Sequence, residues 1–306
     1  MRKIAFLFAG QGAQAVGMGK DLYESNEAAK AVFDMAESVR PGTKTQCFEG
    51  PGEELTLTQN TQPCLFTVDL ACARALEAAG IKADVAAGFS LGEIPVLGFT
   101  GVVSDEDAFK LVTVRGETMA KCAEEHPGAM AAVVKLDNVT VEELCSHFNE
   151  IYPVNYNCPG QLVCAGSVDE IDAFVAEVKE AKGKGIRLAV SGAFHTPYMA
   201  KTTEALAEAL SGMTMSNPSI TAYANLTGEA YPADAAVIAE TITKQCANAV
   251  QWEKTIRNMI DAGVTTFVEV GPGTTLSGLV KKITPDAEIL NVSDVASLEA
   301  TVAALC

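Results

Sequence analysis

Short apolar runs alternate along this chain with stretches whose apolar residues recur every three or four positions. That is the signature of strands alternating with helices. Residues 3–8 read as a strand, 65–79 as a helix closed by Gly80, and 85–89 as a second strand. Within the helix Leu65, Val68, Cys72 and Leu76 fall on one expected buried stripe. This alternation predicts an α/β sheet with helices on both faces.

A different pattern starts at Gly128. Residues 129–136 read as a strand. Thr140 to Glu143 has capping-box spacing and opens an expected helix to about His147. Residues 151–156 and 162–165 read as strands around an Asn157-Cys-Pro-Gly160 turn. Ser167 to Glu170 is a second capping-box spacing, whose helix ends near Gly183 and Gly185, and residues 186–190 close the set as a strand. The order β-α-β-β-α-β is the split βαβ of a ferredoxin-like unit. Residues 126–191 are therefore expected to form a small domain inserted into a larger one, residues 1–125 and 192–306. Beyond the insert the pattern gives a helix (198–210), a strand near 221–224, a helix (235–245), a strand (265–270), a helix to Lys282, a strand (288–292) and a final helix. The larger domain is expected to be α/β, with a sheet assembled from both flanks of the insert.

Composition narrows the function. The 306 residues are 48% apolar and 20% charged, too apolar for a disordered chain. A net charge of −17 argues against nucleic acid and anionic membranes as partners. No apolar run approaches the roughly 18–20 residues of a spanning helix. The opening, Met1-Arg-Lys3 followed by apolar residues 4–9, mimics a signal peptide, but a buried strand entering a glycine turn explains the same residues. The nine cysteines are odd in number and contain no C-x-x-C, and there are only three histidines. Neither a disulfide framework nor a zinc site is indicated, and reduced thiols in a cytoplasmic protein are expected.

Three clusters can carry chemistry. Gly10-Gln-Gly-Ala-Gln-Ala15 follows a strand and fits G-x-G-x-x-A. A dinucleotide site would also need a strand ending in an acid about 20 residues on. The region of Asp34 and Glu37 is helical in pattern instead, which leaves a tight strand-to-helix turn. Gly88-Phe-Ser-Leu-Gly92 has the spacing G-x-S-x-G of a nucleophile elbow between a strand and a helix. A serine on so sharp a turn has an exposed hydroxyl, and the next amide, at a helix N-terminus, can stabilise an oxyanion. Pro95 is tolerable there only within the helix's first turn. His195, in Gly192-Ala-Phe-His-Thr-Pro197, sits at the junction of the two expected domains, a place for a base or for a mere junction residue. His126 and His147 read as edge and surface residues.

The chain resembles the malonyl-CoA:acyl-carrier-protein transacylase family, the discrete acyltransferase of type II fatty acid synthesis. The likeness spans nearly the whole chain, and its motifs come in family order. They are Gly10-Gln-Gly-Ala-Gln14, Thr61-Gln-Pro63, Gly88-Phe-Ser-Leu-Gly-Glu93, Arg115-Gly116, Gly128-Ala-Met-Ala131, Asn155-Tyr-Asn-Cys-Pro-Gly-Gln161, Gly192-Ala-Phe-His195, Gln251-Trp252 and Glu269-Val-Gly-Pro-Gly273. The resemblance implies a hydrolase-like α/β large domain with a short, mostly parallel sheet and a ferredoxin-like insert, and a malonyl-Ser90 intermediate, with His195 as general base and acid and the carbonyl of Gln245 orienting the imidazole. It implies an oxyanion hole from the amides of Gln11 and Leu91, and Arg115 as the grip on the malonyl carboxylate. Phe89 and Phe194 would line the acyl pocket, Phe194 crowding an α-methyl group. At Phe89 the family's usual residue is His, so the departure touches extender selectivity and rate but does not remove the Ser–His pair. Malonyl-CoA would be the substrate, acyl carrier protein the partner that brings its own phosphopantetheine, and no cofactor or metal would be bound permanently. A monomer is expected.

A serine hydrolase, thioesterase or esterase, shares the elbow, and a polyketide-pathway acyltransferase shares the whole site. In hydrolases of this kind the histidine lies near the C-terminus, whereas over a third of this chain follows His195. An acidic carrier protein would be repelled by a −17 chain unless it docks on a local basic patch. Lys281 and Lys282, with Lys182, Lys184 and Arg187, are the candidates for that patch.

Overall fold

The computed structural model describes residues 2–190 and 192–306. Met1, at the signal-like opening, and Ser191, the last residue of the expected small domain, lie outside the described residues. Nine strands are found among the described residues. They are β1 (Ile4–Phe8), β2 (Val85–Gly88), β3 (Gly128–Val134), β4 (Ile151–Cys158), β5 (Gln161–Ser167), β6 (Lys184–Arg187), β7 (Thr221–Ala222), β8 (Thr266–Val270) and β9 (Glu288–Val292).

They form two sheets. The first has the order β7-β2-β1-β8-β9 and is parallel throughout. Its central strand, Ile-Ala-Phe-Leu-Phe, is apolar at every position because helices cover both faces. Phe6 and Phe8 both pack on Phe99, at ring-centroid distances of 5.7 and 5.4 Å. The second sheet has the order β4-β5-β3-β6 and is antiparallel. With helices Asn138–Cys145 and Ile171–Glu180 it makes the β-α-β-β-α-β unit expected from the pattern. The fold class is the one the sequence predicted, an α/β layer structure with a mostly parallel sheet and a separate ferredoxin-like unit.

Local details differ. The helix expected at 65–79 runs Thr58–Ala78 and is buried on nearly all sides rather than along one stripe. It lies under the parallel sheet and is flanked by helices Glu27–Val39 and Asp105–Glu125, so Ala71, Ala73 and Ala75 meet protein, not water. Neither expected capping box forms. The first helix begins at Asn138, and Asp137 caps it by accepting from the Thr140 N–H. Ser167 remains in β5, and helix Ile171–Glu180 has no side-chain cap. The strand expected at 186–190 is Lys184–Arg187 instead. Leu188 still donates to Met130 O at 2.9 Å, and then the chain leaves the sheet to wall a cavity. The Gly10 turn does not enter a helix directly, since the next helix starts at Lys20.

Two features bring the halves together. Phe8 is in register with Gly88, so the turns leaving β1 and β2 lie side by side. On the other side Val250 bonds β4, its N–H to Val154 O at 2.7 Å and its carbonyl to Tyr156 N at 3.0 Å. The register of β4 shifts between Pro153 and Asn155, a bulge of the kind that re-aims a side chain, and Asn155 lines the cavity between the sheets.

Candidate active site

Ser90 stands where β2 ends and a 3-10 turn, Ser90–Gly92, opens into helix Glu93–Phe99. Its φ is 54°, in the left-handed region that L-residues avoid. The flanking glycines make this turn possible. A Cβ on Gly88 would lie 1.8 Å from the Gly92 carbonyl oxygen, and one on Gly92 would lie 2.4 Å from Phe8 O. Pro95 falls in the helix's first turn, where a backbone N–H has no intrahelical acceptor to lose. The elbow is braced from outside the motif: Asn225 accepts from Ser90 N at 2.7 Å and donates to Gly88 O at 2.6 Å.

His195 also has a positive φ, 65°, and its Nε2 lies 2.7 Å from Ser90 Oγ. Its Nδ1 faces two backbone carbonyls, Gln245 O and Asn248 O, each at 3.1 Å. Carbonyls only accept, so Nδ1 carries the proton and Nε2 presents its lone pair to the serine hydroxyl. Burial, and then the nearby Arg115 charge, push the His195 pKa down to about 4. The imidazole is therefore neutral at neutral pH, the form a general base needs.

Arg115 is 1% exposed, far from the solvated position typical of an arginine in such a helix. Its Nη1 donates to Gln62 Oε1 at 2.7 Å, and its Nη2 to Gln245 Oε1 at 2.8 Å and Ser90 Oγ at 3.1 Å. No carboxylate pairs with it among the described residues. A buried cation with neutral partners has unspent attraction for an anion. Ser90 and His195 open on a cavity of about 110 Å³ walled by Met119, Met130, Leu188 and Val190, with Gln11, Phe89 and Phe194 at its sides. A cleft of about 650 Å³ continues outward past Gln11, Leu188, Val190 and Phe194. Gln11 sits on the turn after β1, and Leu91 is the second residue of the 3-10 turn, where amides lack intrahelical acceptors.

Residues 5–299 match the family described as acyl transferase domain. The malonyl CoA-acyl carrier protein transacylase of Bacillus subtilis is 38% identical over 311 residues, covering 100% of this chain and 98% of that protein. The chain belongs to the malonyl CoA-acyl carrier protein transacylase family. The crystal structure of the Clostridium perfringens transacylase superposes with a TM-score of 0.95 at 37% identity, covering 99% of this chain and 97% of that one. A malonyl-transacylase solved with its type II PKS acyl-carrier protein is 31% identical with a TM-score of 0.94, covering 99% of each chain.

Against this transacylase fold the remaining sequence candidates fall into place unequally. Phe89 packs edge-on against Trp252, ring centroids 5.3 Å apart, and presses on Gly10, where a Cβ would come within 2.9 Å of its ring. Gln245 does more than offer a carbonyl, since its Nε2 donates to Ser90 O at 2.6 Å and to Glu93 Oε2 at 2.7 Å. The basic candidates do not form one patch. Lys282 donates to Gln161 Oε1 at 2.9 Å, and Gln161 lies across Val134 from Lys184, so these lysines share one end of the antiparallel sheet. Arg187 lies three residues further along β6 and is paired with Asp172 at 2.7 Å.

Asn225, Gln62 and Glu93 escaped the sequence reading as site residues. Asn225 comes from a distant segment and carries no local signal, whereas Gln62 stands in the Thr61-Gln-Pro63 motif, which by itself assigns it no partner. Glu93 does carry one: it ends the Gly88-Phe-Ser-Leu-Gly-Glu93 motif and is the one charge at the head of an uncharged run, Ile94 to Phe99.

Proposed function

We propose that the chain transfers a malonyl group from malonyl-CoA to the phosphopantetheine thiol of an acyl carrier protein, by a ping-pong route through malonyl-Ser90. The observation that carries this reading is the placement of one serine hydroxyl between a neutral imidazole and a buried, unpaired guanidinium. Ser90 Oγ attacks the thioester carbonyl while His195 Nε2 takes the hydroxyl proton, and the amides of Gln11 and Leu91 receive the oxyanion. The carbon–sulfur bond breaks, and the imidazolium returns its proton to the departing CoA thiolate. In the second half His195 deprotonates the carrier's thiol, which attacks the malonyl ester; the carbon–oxygen bond to Ser90 breaks, and the imidazolium returns the proton to Ser90 Oγ. Arg115 turns from its amide partners to the malonyl carboxylate, whose planar oxygens suit its paired N–H groups.

The pathway is fatty acid synthesis, with the same transfer to a polyketide carrier as the second reading, which the family member solved with such a carrier favours. We place the small domain at residues 126–191, the carrier's docking patch around Lys281 and Lys282, and the protein in the cytoplasm as a monomer without bound metal or cofactor. Nine free thiols, eight of them buried, support the compartment. Phe89 and Phe194 bound the acyl pocket. Incubation with malonyl-CoA and holo carrier protein tests the whole: malonyl carrier is expected, and free malonate as the main product overturns transfer in favour of hydrolysis. A panel of fatty-acid and polyketide carriers separates the two pathways.

A further inference from the structure

Glu93 is completely buried at the start of the helix that follows the elbow. One of its oxygens accepts from Asn225 N at 3.1 Å and, through a short bond, from the Tyr231 hydroxyl. The other accepts from Gln245 Nε2 at 2.7 Å. Both amide residues act on the Ser–His pair. Asn225 fastens the Ser90 elbow through Ser90 N and Gly88 O, while Gln245 holds Ser90 O, supplies the carbonyl facing His195 Nδ1, and accepts from Arg115. Without Glu93 these braces have no common anchor.

We propose that Glu93 is a positioning residue whose carboxylate locks the nucleophile's turn and the histidine's carbonyl partner into one rigid unit. This rests on the Ser–His reading of the site, but not on the acyl group transferred. Three donors converge on two oxygens, and a carboxylate is the side chain that can accept them all. An amide of the same shape offers one acceptor and turns an N–H toward one of those donors, so a brace must swing away. Protonating Glu93 has a milder form of the same effect, because the added hydrogen must displace a donor.

The titratable and charged groups facing Glu93 are Tyr231, Arg115 and Cys246, with His195 beyond Gln245. Burial raises the Glu93 pKa to about 7, opposed by the bonds from Tyr231, Gln245 and Asn225 and by the Arg115 charge. The locked form is thus the anion, present above about pH 7 and lost as the pH falls through that value. His195 titrates well below it, near 4.

The test measures covalent labelling of Ser90 by a fluorophosphonate across pH, which needs neither acyl-CoA nor carrier protein. Wild-type labelling is expected to slow as the pH drops through about 7. Glu93→Gln is expected to label at least tenfold more slowly at pH 8 and to lack that limb. Tyr231→Phe removes one bond that stabilises the anion and leaves the elbow untouched, so its limb should move to higher pH, which keeps the proposal testable if Glu93→Gln does not fold. Wild-type labelling rates in Glu93→Gln, or a limb unmoved by Tyr231→Phe, overturn the positioning role. Normal labelling with no transfer of malonyl would instead overturn the transferase reading and leave Glu93 in place.

Discussion

The two sheets meet at one cavity and contribute to it in different ways. The parallel sheet and its connections bring the groups to which we assign the chemistry: Ser90 on the turn after β2, Gln11 on the turn after β1, and Arg115 from the helix behind. Each of Ser90, Arg115 and Gln245 is held by several short hydrogen bonds. The antiparallel sheet contributes walls, Met130 from β3, Asn155 from the bulge in β4, and Leu188 and Val190 beyond β6, which are held mainly by packing. Reactivity depends on polar geometry that is fixed many times over, and such networks fail abruptly when one member is lost. The shape of the cavity depends mainly on apolar surfaces, which tolerate volume-conserving change.

If this division is right, changes on the two sides should differ in kind as well as size. Ser90→Ala should abolish the acyl-enzyme detected by mass spectrometry and lower transfer about a thousandfold or more, with thermal stability hardly changed. A persistent adduct would place the nucleophile elsewhere. Arg115 comes next, because it touches Ser90 Oγ and is the expected partner of the substrate carboxylate. Arg115→Ala is expected to reduce malonyl transfer by roughly a hundredfold and acetyl transfer by much less, the size expected when one partner of a buried charge pair is removed. Equal losses would mean that the guanidinium serves the serine alone.

Phe194 lines the same cavity from beyond the antiparallel sheet, and Phe194→Ala should raise the ratio of methylmalonyl to malonyl transfer by about tenfold, the usual worth of one methyl group in an apolar pocket. An unchanged ratio would remove Phe194 from the acyl pocket. The smallest effect belongs to the surface. Reversing the charges of Lys281 and Lys282 should raise the KM for the carrier a few-fold and become invisible at high salt, while acylation by malonyl-CoA alone stays unchanged. If the KM does not move, the carrier docks elsewhere.

The same contrast explains what could be read in the sequence. Gly88 and Gly92 were legible because a steric rule, with sub-2.5 Å approaches for any added Cβ, leaves little choice there, and they mark the serine between them. The alternation of elements was legible because burial on both faces forces continuous apolar strands such as β1. The capping boxes at Thr140 and Ser167 were misread because several nearby Asp and Ser residues could serve, and Asp137 took the first role. Residues 188–190 resembled a strand because a cavity wall and a sheet face demand the same apolar side chains. The contacts of Asn225 with Ser90 and of Gln62 with Arg115 became visible only in three dimensions, since each spans more than fifty residues of chain.

Ser90 and His195 both occupy backbone conformations that an L-residue holds at a cost, on the order of 1–3 kcal/mol each. A copy of this protein released from catalysis would gain stability by placing glycine at either position. Strain of this sort turns inactivity into an easy evolutionary direction, and glycine at position 90 or 195 of a related chain would be the mark that it had been taken. The serine and histidine seen here are, on that view, residues that folding alone would not have chosen.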